Sequence, residues 1–195
     1  MSFSLSAPKN VVTHRQLSGI MPNADIAQIL SYVSTQQTKD GLLGGVSGGR
    51  IDREIRRSKI LFLPVNKETN WLYNRVAKII TEVNQRDFNF ALDSVQPIQY
   101  TEYHASENGT YHDHLDWAAN VIRPRKLSMS IQLSDDTDYQ GGDLEIKMTS
   151  DNPLKASRIK GDAIVFPSFL LHGVTPVTEG VRKSLVVWFD GPEWK

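Results

Sequence analysis

Apolar positions in the first part of the chain recur at helical intervals. Ile26, Ile29, Leu30 and Val33 follow Pro22 in this way and predict an amphipathic helix running from Asn23, as N-cap, to about residue 37. Trp71, Leu72, Val76, Ile79, Ile80 and Val83 repeat the rhythm and predict a second helix, entered from Asn66. Each carries one apolar stripe that must lie on another layer.

From about residue 95 the rhythm shortens. Strands are expected at 95–103, 111–117, 126–133, 143–148, 163–166, 170–174 and 182–189, with turns at Gly141-Gly142, Gly161-Asp162 and Glu179-Gly180. The fold class that follows is mainly β with flanking helices (α+β): a β-sandwich or jelly roll, with the helices covering one outer face. No internal repeat or linker divides it, so a single domain is expected over residues 1–195, with a helical part to about 90 and a β core at about 95–190. Between the helices, five glycines fall within residues 40–50, a segment that reads either as a plain connection or as a lid over a substrate. Arg50, Arg53, Arg56, Arg57 and Lys59 follow, interrupted by Asp52 and Glu54, and read as a solvated charged face.

Composition narrows the chemistry. With 195 residues, 39% of them hydrophobic, the chain can bury a core without disulfides. The absence of cysteine removes disulfides, thiolate metal sites and cysteine nucleophiles, so any metal must be held by His, Asp or Glu. Lys plus Arg equals Asp plus Glu at 22 each, which argues against a nucleic-acid partner. No apolar run approaches the roughly 18 residues of a membrane span, and the first ten residues do not read as a secretory signal; a soluble, cytoplasmic protein is expected.

The candidate site lies in the stretch Tyr111-His112-Asp113-His114-Leu115-Asp116-Trp117 and in His172. On an extended strand His112, His114 and Asp116 point to one face. A sandwich interior would refuse imidazoles and a carboxylate unless a divalent cation joined them. Arg182 follows His172 beyond Pro176 and Gly180, so a hairpin reflected about position 177 would set the two side by side. Two histidines and one carboxylate, with coordination positions left open, suit a non-haem Fe(II) oxygenase, and a nearby arginine suits a carboxylate co-substrate.

Tyr103 to Trp117, then His172-Gly-Val174-x-Pro176, Gly180-x-Arg182-x-Ser184 and Trp188, resembles the Fe(II)- and 2-oxoglutarate-dependent dioxygenases, in particular the prolyl 4-hydroxylase-like branch, over about half the chain. The resemblance implies a double-stranded β-helix with iron on His114, Asp116 and His172. Tyr111, three residues before the iron histidine as in relatives, selects His114 over His112. It further implies that Tyr103 hydrogen-bonds 2-oxoglutarate, that Arg182 pairs with its C5 carboxylate, that Ser184 joins the clamp, and that Val174 and Trp188 line the pocket. Gln132 stands where close relatives often carry a tyrosine. The implied reaction consumes O2 and 2-oxoglutarate, releases succinate and CO2, and hydroxylates an unactivated C–H bond, with ascorbate as a candidate reductant. The expected substrate is a prolyl residue in a peptide or protein, with a free amino acid as the alternative. A cupin-like metalloprotein using His112, His114 and His172, and a non-catalytic binding module, are the readings from other classes.

Overall fold

The computed structural model describes residues 12–43, 49–117, 123–148 and 152–193. In chain order, β1 (Arg15–Leu17), α1 (Asn23–Ser34), β2 (Lys39–Asp40), β3 (Arg56–Arg57), β4 (Lys59–Leu63) and α2 (Asn70–Val83) lead into a π-helical turn, Asn84–Phe88. Ten residues from Asn84 to Asp93 then separate α2 from the strands β5 (Ser94–Val95), β6 (Ile98–His104), β7 (Thr110–His114), β8 (Arg125–Gln132) and β9 (Tyr139–Gly141). The last five are β10 (Leu144–Lys147), β11 (Leu154–Lys155), β12 (Ala163–Pro167), β13 (Leu171–Val174) and β14 (Val177–Asp190).

Among the described residues every strand pair is antiparallel. The larger sheet runs β1-β12-β8-β14-β6-β4-β2, with β5 and β9 also paired to β14, and the smaller runs β11-β10-β13-β7-β3. Alternation explains how the larger sheet can be buried on both faces. Leu127, Met129 and Ile131 on β8, and Leu185, Val187 and Phe189 on β14, share one apolar cluster with Ile26, Ile29 and Val33 of α1 and Leu72, Val76 and Ile80 of α2. The intervening Ser128 and Gln132, and Arg182, Ser184 and Trp188, are buried as well, on the opposite face. A second cluster, with Tyr103, Ile164 and Phe166 from the larger sheet and Leu144, Ile146 and Val174 from the smaller, lies between the sheets. The helix side of β8 and β14 is thus mainly apolar, and Ser128, Gln132, Arg182 and Ser184 face the space between the sheets.

Several expectations require correction. Helix α1 begins at Asn23 itself, after Pro22, and ends at Ser34; Asn23 is not its cap. The segment Lys59–Leu63 is a strand bonded to β6 along five residue pairs. Arg56 is 6% exposed, so it does not belong to a solvated charged face; with Ser58 and Ile60, also buried, it follows the two-residue period into β4. The hairpin pairing of His172 with Arg182 does not form: His172 opposes Ile146 and His114, and Arg182 opposes Tyr103. The chain changes sheets at Pro176, so the two side chains stand on facing sheets. The lid expectation over residues 41–50 falls partly on residues 44–48, outside the described residues; at its base Leu43 and Arg50 pair as an isolated bridge.

The packing contrast can be measured. Ile131 is fully buried between helix and sheet whereas Ile159 is 63% exposed. Ile131→Ala is expected to lower the unfolding free energy by about 2–5 kcal/mol, and Ile159→Ala to change it by no more than about 0.5 kcal/mol. Urea unfolding of both variants checks this; equal losses would contradict the assigned core.

Candidate metal centre and its carboxylate pocket

A bulge in the smaller sheet sets the centre. His172 opposes His114 but Val174 opposes Tyr111, so three residue steps on β7 match two on β13. The extra residue reverses the alternation, and Tyr111 and His114 come to one side with their rings stacked, centroids 3.6 Å apart and planes 15° apart. His112 is turned out to solvent and takes no part in the cluster. The expectation that His112 shares a face with His114 and Asp116 is corrected on this ground.

His114, Asp116 and His172 offer ligand atoms that all lie within 4.8 Å of one another. The His172 Nε2 is 3.3 Å from Asp116 Oδ2, and the His114 Nε2 is 3.7 Å from Asp116 Oδ1. Each Nδ1 is 2.8 Å from a backbone carbonyl, of His112 for His114 and of Leu170 for His172. A carbonyl only accepts, so both Nδ1 atoms carry hydrogen, and both Nε2 lone pairs are left for the shared space. Asp116 is fixed in turn: Ser128 Oγ donates to Oδ2 at 2.7 Å, and the backbone N–H groups of Asp116 and Trp117 both donate to the Ser168 carbonyl.

The electrostatics show what the cluster wants. Burial, and then the neighbouring His172 charge, pull the His114 imidazole down to about 4. Burial also disfavours the His172 cation, but the adjacent Asp116 carboxylate outweighs it and holds that ring above its ordinary value. For Asp116, burial favours the neutral acid, and the pull of His172, His114 and Arg125 overcomes it, leaving the group below the usual carboxylate range. The triad therefore holds a buried anion that demands a cation. A divalent metal satisfies all three groups at once, and two imidazoles with one carboxylate are the donor set of non-haem Fe(II) sites.

The remaining candidates lie between the sheets, Val174 on β13 of the smaller sheet and the others on the inner face of the larger. Tyr103, Val174 and Trp188 are 4%, 7% and 7% exposed, and Arg182, Ser184 and Gln132 are 5%, 1% and 3% exposed. Arg182 makes one noted contact, its guanidinium lying 5.7 Å from the Tyr103 ring centroid, and has neither a hydrogen bond nor an ion-pair partner among the described residues. A buried guanidinium without a counter-ion is costly, and an anionic ligand would relieve it. Gln132 fits its expected part less well, because its amide N–H groups go to the Tyr139 hydroxyl at 3.0 Å and the Ser134 carbonyl at 3.3 Å.

Sequence reasoning missed two cations beside the centre. Arg125 lies with its guanidinium 3.9 Å from the Trp188 ring centroid and 3.9 Å from Asp116 Oδ1, while Arg56 lies 4.5 Å from the Tyr111 ring centroid. For Arg56 a signal existed, the period shared with Ser58 and Ile60; Arg125 reaches the site through long-range packing that no local pattern reports.

Comparison with known proteins agrees with this geometry. Residues 98–190 match the 2OG-Fe(II) oxygenase superfamily. A PKHD-type hydroxylase of Synechococcus sp. (strain CC9311) is 39% identical over 85 residues, 43% of this chain and 38% of that relative. The PKHD-type hydroxylase YbiX of Escherichia coli O6:K15:H31 is 26% identical over 186 residues, covering 89% of this chain and 76% of its own length. Among solved structures, a Pseudomonas putida prolyl-4-hydroxylase superposes with a TM-score of 0.73 at 18% identity, covering 93% of this chain and 94% of that one. A prolyl hydroxylase from Trichoplax adhaerens, solved with a hypoxia inducible factor oxygen degradation domain peptide fragment, gives 0.75 at 17% identity, covering 91% and 83%. At such identities the structures establish a common fold. Residues 98–190, just under half of the chain, are similar to the 2OG-Fe(II) oxygenase superfamily, whose members work with Fe(II), 2-oxoglutarate and O2, and the chain shares its fold with the prolyl hydroxylases.

Proposed function

We propose that this oxygenase hydroxylates a prolyl residue in a peptide or protein, that it does so as a single domain over residues 1–195 built on a double-stranded β-helix (jelly roll), and that Fe(II) binds to His114, Asp116 and His172. The observation that carries the reading is the pairing of a buried His-Asp-His cluster with a buried arginine lacking a counter-ion, both between the two sheets. The prolyl substrate rests on the kinship with the PKHD-type and prolyl hydroxylases, one of which is solved with a peptide.

When bound, iron would activate O2, the oxidant, and 2-oxoglutarate would supply two electrons as it is converted to succinate and CO2. The protein's own groups do the positioning. Arg182 holds the remote carboxylate of 2-oxoglutarate through paired charge-assisted hydrogen bonds, and Ser184, two residues along the same strand face, adds a donor. Tyr103 presents its hydroxyl toward the same ligand. Val174 and Trp188, with Trp117 next to Asp116, keep the surroundings apolar and exclude water. Ser128 and the two backbone carbonyls hold the ligand side chains in place before any metal arrives.

Two predictions follow from these roles. His114→Ala or Asp116→Ala is expected to abolish stoichiometric Fe(II) or Mn(II) binding and 2-oxoglutarate-dependent succinate formation, while His112→Ala keeps both; metal analysis with a succinate assay checks this, and loss in His112→Ala with retention in Asp116→Ala would favour the cupin-like reading. Arg182→Ala is expected to raise the apparent 2-oxoglutarate constant by about 100-fold, since hydrogen bonds to charged groups contribute about 1.5–3 kcal/mol, with metal affinity unchanged. The substrate is tested by measuring succinate and the hydroxylated product with proline-containing peptides and free amino acids; turnover confined to free amino acids would overturn the peptide reading.

A further inference from the structure

The amide of Gln132, buried on the same sheet face as Arg182, is oriented by two hydrogen-bond partners. Gln132 Nε2 is 3.3 Å from the Ser134 carbonyl, which can only accept, so the nitrogen rather than the oxygen faces that way. The same nitrogen therefore donates to the Tyr139 hydroxyl at 3.0 Å. Tyr139 is 2% exposed, and its own hydroxyl hydrogen has no acceptor among the described residues. A buried phenol that accepts one hydrogen bond and has one left to donate is incomplete without a further acceptor.

The Tyr139 ring lies close to the Arg182 stem. Tyr139 is paired with Gly180 on β14, two residues before Arg182, and Gln132 on β8 is paired with Ser184, two residues after it. The ring and the arginine stem flank Gly142: a Cβ placed there would lie 3.4 Å from Tyr139 Cε2 and 3.2 Å from Arg182 Cδ. Gly142 has φ +65°, so its lack of a side chain serves both the backbone and the close approach of these two groups. The ring is also held from behind. Arg158 stacks on it with its guanidinium 4.2 Å from the centroid and anchors itself on the carbonyls of Tyr139 and Gly141 and on Asp143.

We infer that Tyr139, oriented by Gln132 and braced by Arg158, donates its hydroxyl hydrogen to the C5 carboxylate of 2-oxoglutarate beside Arg182. The inference rests on the proposed binding of 2-oxoglutarate at Arg182. It makes Tyr139 a ligand-contacting residue and Gln132 a positioning residue.

The test compares two 2-oxo acids by calorimetric titration of the full chain loaded with redox-inert Mn(II). 2-Oxoglutarate carries the C5 carboxylate, and 2-oxopentanoate has the same carbon skeleton without it. Tyr139→Phe is expected to raise the 2-oxoglutarate Kd about 10-fold, the scale of one hydrogen bond to a charged group, and to leave the 2-oxopentanoate Kd and the Mn(II) affinity unchanged. Gln132→Leu is expected to give a smaller rise with the same selectivity, and it reads the same contrast should Tyr139→Phe fail to fold. An unchanged 2-oxoglutarate Kd in folded Tyr139→Phe overturns the inference, as does an equal loss for both acids, which would mark a packing role. Wild-type protein that binds Mn(II) but shows no preference for 2-oxoglutarate over 2-oxopentanoate overturns the Arg182 reading along with it.

Discussion

The site depends on one register. Strands β7 and β13, far apart in sequence, pair so that His114 stands opposite His172, and a bulge follows immediately. Without the bulge the two-residue period would bring His112 inward with His114 and turn Tyr111 outward. With it, Tyr111 stacks on His114, and Asp116, just past the end of β7, is carried to both imidazoles. The Nδ1 atoms of both rings are tied to backbone carbonyls, so the Nε2 lone pairs are aimed by the backbone itself.

The larger sheet supplies the complementary half. Its alternation sends Leu127, Met129 and Ile131 to the helices, and Ser128 and Gln132 toward the smaller sheet. Strand β14 repeats this, with Leu185, Val187 and Phe189 outward and Arg182, Ser184 and Trp188 inward. A sandwich interior lined in this way would be unstable if it were dry and empty of ligands, because guanidinium, hydroxyl and indole groups would be stripped of water without replacement. The apolar bond between the helices and the outer face is what allows the inner face to be polar, since it stabilises the sheet independently of what lies in the pocket.

The legibility of the chain follows from the range of the forces involved. Helices α1 and α2 and most of β6 to β14 were readable because their periodicity is local. Strand β4 was hidden, coming directly after a glycine-rich segment and a charged run whose composition suggests a loop. The metal cluster was legible as a set of residue types, and the resemblance picked out His114. The reason His112 is excluded was not legible, because a bulge is a relation between two strands. The supposed hairpin of His172 with Arg182 failed for the same cause: the two residues belong to facing sheets. The role of Tyr139 required knowing which way the Gln132 amide is turned, and only its two hydrogen-bond partners reveal that.

The central claim is that a single Fe(II) ion is held jointly by side chains on β7, just beyond it, and on β13. X-ray diffraction from anaerobic crystals grown with Fe(II), collected above and below the iron absorption edge, tests it most directly. The account predicts one anomalous peak about 2.0–2.2 Å from the Nε2 atoms of His114 and His172 and from an Asp116 carboxylate oxygen. A peak bonded to His112, or no iron between β7 and β13 in a protein that binds it stoichiometrically, would contradict the account.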